Sequence, residues 1–154
     1  MQPSASSWRT RCGLPVTARD HRLILAPGVA DPPSVERLFA DYDAVTPEHQ
    51  KLLALVLTIR FSSDEPLHDG FDAACAFAAI QIARGRRLTS LVVLHAPHDQ
   101  LADAGPHAHV LVLPRIHRAS GWGALHPDCV EEAHTRWAEE WTAFHAAWRR
   151  TLGP

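Results

Sequence analysis

The chain has 154 residues, of which 46% are hydrophobic and 21% charged, and its formal net charge is -2. That is enough apolar material for the core of one domain, and the balance is ordinary for a globular fold. It excludes a uniformly basic nucleic-acid clamp, so phosphate contacts, where present, must come from local arginine clusters.

Other classes fall away on residue usage. No apolar run approaches the roughly 20 residues a membrane helix needs. Cys12, Cys75 and Cys129 are widely spaced with no Cys-x-x-Cys, which argues against both a disulfide framework and a zinc knuckle and for a reducing cytoplasm. Lys51 is the only lysine, so arginine, the better bidentate phosphate ligand, carries nearly all the positive charge.

Residues 1–18 read as a flexible leader without the continuous apolar core of a signal peptide; residues 19–154 read as a single domain. HRLILA (His21–Ala26), closed by Pro27 and Gly28, predicts a first strand. Ser34 is placed to cap a short helix on which Val35, Leu38, Phe39 and Tyr42 share one face. Leu52 to Phe61 is apolar at nearly every position, which suits either a buried strand or a buried helix, with strand the preferred reading for Leu55–Phe61. Phe71–Arg84 keeps a helical period through Phe71, Ala74, Cys75, Ala78 and Ile82, with Gly85 after it. Arg84, Arg86 and Arg87 crowd that helix end, where the helix dipole favours cations.

Leu91–Arg115 (LVVLHAPHDQLADAGPHAHVLVLPR) predicts a hairpin. Gly121-Trp122-Gly123 breaks the chain after it. A last helix is expected from Asp128 to about Thr151, with Val130, His134, Trp137, Trp141, Phe144 and Trp148 forming an apolar seam. Such a seam serves core packing first and a homodimer interface second. The whole predicts an α/β (α+β) domain, an antiparallel-rich sheet with helices packed on it and a long C-terminal amphipathic helix.

The hairpin carries the chemistry. His95 ends its first strand, and His107 and His109 open the second on one face, because residues two apart on a strand point the same way. Antiparallel pairing would bring all three imidazoles together, a catalytic-type metal arrangement with an open position. His98, in the turn, and His117, beyond Pro114, rank below them. His21 joins only if the first strand lies beside the hairpin.

The segment from Phe71 to Gly123 resembles the MobA/MobL-type mobilisation relaxases of the HUH endonuclease superfamily. The matching parts read FDAACAFAAIQIARGR, LTSLVVLH, GPHAHVLVLPR and GWG, with Arg136-Trp137 on the helix beyond. The resemblance implies an HUH-like fold and metal-dependent nicking and strand transfer on single-stranded DNA at a plasmid or mobile-element origin, with other mobilisation proteins as partners. It implies His95, His107 and His109 as metal ligands, with magnesium or manganese as the family's usual ion, although imidazole donors suit zinc or nickel better. It implies a tyrosine nucleophile on the helix after the first strand. Tyr42, the only tyrosine, occupies that place in the order, but in the context FADYDA, where Asp41 and Asp43 would oppose a phosphate. Arg115 and Arg118, then Arg84, Arg86 and Arg87, are the expected DNA contacts.

Two other readings follow from the same residues. PHAHVLVLPR is also similar to the histidine-triad nucleotide hydrolases and transferases, with Leu111 in place of the third histidine and His109 as nucleophile. A non-catalytic DNA- or metal-binding accessory protein would keep the fold without the chemistry.

Overall fold

The computed structural model describes residues 18–96 and 105–153. Residues 1–17 of the expected leader, with Cys12, and His98 with the hairpin turn lie outside the described residues; Ala18, the last leader residue, instead opens the first strand, which runs Ala18–Ile24 rather than His21–Ala26.

A four-stranded antiparallel sheet runs in the order β1-β3-β4-β2, where β1 is Ala18–Ile24, β2 Leu55–Arg60, β3 Ser90–His95 and β4 His107–Val112. The mixed, antiparallel architecture with a long C-terminal helix matches the sequence reading. Every residue of β3 is buried, as its unbroken apolar run requires of a central strand covered on both faces.

One face receives α2 (Leu67–Phe77), its π-helical continuation (Ala78–Arg84) and α3 (Ala133–Leu152). Phe71, Ala74, Phe77, Ala78, Ile82 and Trp137 pack there on Val92, Ala108, Val110 and Val112. The other face receives α1 (Val35–Val45), through Leu38, Phe39 and Tyr42 on Leu91, Val93, Leu111 and Leu113. The Ser34 side chain caps α1 by accepting from the Arg37 amide at 3.1 Å, as the sequence indicated.

Three other expectations need correction. α2 begins at Leu67 rather than Phe71, because Pro66 stands at its N-cap and its carbonyl accepts from the Gly70 amide at 3.1 Å. α3 begins at Ala133 rather than Asp128. The segment before it is held in turns, with the Asp128 amide donating to His126 Nδ1 and the Asp128 carboxylate accepting from Arg86 and Arg136. Val130 and His134 are therefore exposed, and the seam starts at Trp137, with Trp141 and Phe144 edge-on to Phe77. Finally, Gly121-Trp122-Gly123 is no break. It opens β6 (Gly121–Leu125), which pairs antiparallel with β5 (Arg115–Arg118). Gly121 makes the turn between them at φ 119°, a conformation that a side chain would strain.

Cys75 and Cys129 are buried free thiols, and burial pushes their pKa values up to about 11 and about 12. They act as small hydrophobes. Among the described residues no helix is long and apolar enough to cross a membrane.

Candidate metal centre

The register of the central hairpin sets His95 directly opposite His107, and Val93 opposite His109. Side chains directly opposed on adjacent antiparallel strands share a face, with Cβ atoms about 4.5–5.5 Å apart. The three imidazoles accordingly converge on the α1 side of the sheet, at the end where β3 stops and β4 begins. Their ring centroids are separated by 5.1, 5.0 and 4.9 Å. One nitrogen from each lies within 4.8 Å of the other two.

Hydrogen bonds orient two of the rings. His107 Nδ1 donates to the Gly105 carbonyl at 2.8 Å, which fixes the tautomer and leaves the Nε2 lone pair available. His109 Nδ1 is 3.1 Å from the Thr58 hydroxyl, and Thr58 pairs with His109 across β2 and β4. His95 and His107 are only 3% and 6% exposed, whereas His109 is partly open. Burial pushes the His109 pKa down to about 4, and its electrostatic interaction with His107, His95 and Arg60 lowers it further. His109 is therefore a neutral donor at pH 7.

These three histidines can hold a metal ion. Nitrogens bound to one ion at about 2.0–2.1 Å stand about 3.4 Å apart in a tetrahedral set. The observed limit of 4.8 Å exceeds that spacing by about 1.4 Å.

Tyr42 lies elsewhere. It is fully buried, its ring is edge-on to Trp122 at 4.8 Å, and its hydroxyl accepts from Gln50 Nε2 at 3.2 Å. Gln50 Nε2 also donates to the Leu52 carbonyl, and its Oε1 accepts from Arg115 Nε. These partners precede β2 and follow β4. Since Leu55 pairs with Val112 and Arg60 with His107, they mark the end of the sheet away from the histidines. Six residues of strand span about 20 Å. Burial raises the Tyr42 pKa above its ordinary value.

The named arginines also gather at that far end, since Arg84–Arg87 precede β3 and Arg115 follows β4. Arg86 is enclosed, donating to Asp128 at 2.9 Å and to Glu140 at 2.7 Å, with its guanidinium 5.1 Å from the centre of the Trp137 ring. It serves the core rather than a ligand. Arg115 donates to Gln50 and to the Gly123 carbonyl. Arg84, Arg87 and Arg118 are exposed. His117 is buried, 2.8 Å from the Thr89 hydroxyl and stacked on Trp122 at 3.6 Å.

The sheet order does place β1 beside β3. His21 pairs with Val93 and by alternation shares the histidine face, exposed and outside the three-ring cluster. Sequence reasoning missed Thr58 and Arg60. Both occupy the imidazole face of β2, opposite His109 and His107. Their period-2 spacing was visible, but the register of β2 against β4 was not.

The chain matches no protein-family model, no curated protein and no solved structure.

Proposed function

We propose that the chain is a relaxase-like protein that binds single-stranded DNA at a mobile-element origin through a divalent ion held by His95, His107 and His109. The convergence of these three imidazoles at one end of the hairpin carries the reading. The order of motifs from Phe71 to Gly123 supplies the substrate class. When bound, the ion would provide Lewis-acid polarisation and orientation of a phosphodiester. The protein's own contribution is to aim the donors and to keep His109 unprotonated. Gly105 holds His107, Thr58 holds His109, and burial disfavours protonation of His109.

In this reading Tyr42 serves the core. A covalent role would require its hydroxyl to leave Gln50 and its ring to leave Trp122, with the phenol harder to ionise than usual. The chain then resembles a relaxase that retains the metal site and has lost the tyrosine step.

The test combines metal and DNA. Chelator-treated protein is titrated with manganese or zinc, then with labelled single-stranded oligonucleotides, with duplex as control. The expected result is metal-dependent binding of single strands that disappears in His107→Ala and His109→Ala and persists in Tyr42→Phe. Binding indifferent to metal and to both histidine variants would overturn the reading. Metal-free turnover of a nucleoside phosphoramidate that depends on His109 would instead identify a histidine-triad nucleotide hydrolase.

A further inference from the structure

Cationic side chains are numerous on this chain, but their surroundings differ. Arg22, Arg37, Arg86, Arg136 and Arg149 each lie within 4.0 Å of a carboxylate. The Arg60 side chain has no ion pair or hydrogen bond among the described residues, and it is exposed. It also sits where an unneutralised charge has most effect. Arg60 pairs with His107 on β4, and strand alternation puts it on the same face as Thr58, whose hydroxyl touches His109.

Once the imidazoles hold a divalent ion, that ion and the Arg60 guanidinium put three positive charges on one face of the sheet. Such a site selects a ligand that brings negative charge. The planar fork of arginine matches the paired oxygens of a phosphate group. The arginine clusters at the far end of the sheet cannot supply this contact to a group held at the histidines, because a strand length of about 20 Å intervenes.

We propose that Arg60 seats a substrate phosphate against the three-histidine centre, making it the anion-binding residue of this site. The inference rests on the reading of the histidines as a metal site that takes single-stranded DNA. It goes beyond that reading by moving the phosphate contact from Arg115 and Arg118 to β2.

The experiment uses the full chain, wild type and Arg60→Gln, Arg60→Lys and Arg118→Gln, loaded with manganese or zinc. The probes are inorganic phosphate and a labelled single-stranded oligonucleotide, followed by calorimetry and fluorescence anisotropy, with metal affinity measured separately. Arg60→Gln should weaken both probes by about tenfold or more, as expected for loss of a charge-assisted pair. It should also lower the salt dependence of oligonucleotide binding by about one unit of slope. Arg60→Lys should recover part of the loss, while Arg118→Gln stays near wild type. Metal affinity should be unchanged or higher in Arg60→Gln, because a like charge is removed. Thermal stability should not move, because the side chain is exposed.

Oligonucleotide and phosphate affinities within twofold of wild type in Arg60→Gln would overturn the assignment and leave the DNA reading intact. Phosphate binding that depends on Arg60 without any oligonucleotide binding would sustain the assignment and remove DNA as the substrate. Metal-loaded wild type that binds neither probe would defeat both.

Discussion

His109 offers a direct measurement of how the fold prepares its donors. The ring's pKa falls from 6.5 to about 4, first through burial and then through electrostatic interaction with His107, His95 and Arg60. An imidazole that is harder to protonate in the folded chain leaves the unfolded chain binding more protons, so stability falls as pH drops. The loss begins near 6.5, the unfolded value, and is complete near pH 4. At about 1.36 kcal/mol per unit the shift corresponds to about 3 kcal/mol. The ring is only half buried, and solvent screening reduces this to about 1–2 kcal/mol. For a domain of this length that amounts to about 3–6 °C in melting temperature.

The assay compares wild type with His109→Asn in the presence of a chelator, by thermal melts between pH 7.5 and pH 4. Other groups titrate in both proteins, so only the difference between the two curves counts. The wild-type melting temperature should drop by about 3–6 °C more than that of the variant. Parallel curves would refute the argument that burial and electrostatic interaction hold His109 neutral.

Other outcomes follow from the same geometry. At a free metal concentration about one hundred times the dissociation constant, bound ion should add about 3 kcal/mol, raising the wild-type melting temperature by about 5–10 °C. His107→Ala should abolish that increment in differential scanning fluorimetry. Arg86→Ala should cost about 2–3 kcal/mol in urea unfolding, because Asp128 and Glu140 lose their shared partner while keeping partial access to water. Gly70→Ala should destabilise by about 1–2 kcal/mol, despite the helical preference for alanine. The added Cβ would stand 2.7 Å from Phe61 Cδ1, and ring and helix must then move apart. Tyr42→Phe should cost no more than about 1 kcal/mol, since Gln50 keeps its bonds to Leu52 and Arg115.

Much of this architecture could be read locally. The Ser34 cap, the Leu38-Phe39-Tyr42 stripe and the strand at Leu55 come from nearest-neighbour patterns, and the structure keeps them. The His-x-His alternation correctly put His107 and His109 on one face, and the hairpin spacing brought His95 to them. Local patterns failed where a distant partner decided the outcome. Asp128 reads as the first residue of a helix, yet Arg86, from another part of the chain, holds it in the preceding turn. Gly121-Trp122-Gly123 reads as a break until Arg115–Arg118 lies alongside it as a strand.

The three histidines and their shared face were thus determined by the sequence itself, because a two-residue period and a short hairpin are local properties of the chain. Tertiary structure decided what stands around them. Pairing of β2 with β4 brought Thr58 and Arg60 to the imidazoles, and the docking of α1 sent Tyr42 to the opposite end of the sheet. Strand register is chosen by which apolar faces match across segments far apart in the chain. Single-strand periodicity records that a residue faces inward or outward, but not which neighbour it will meet.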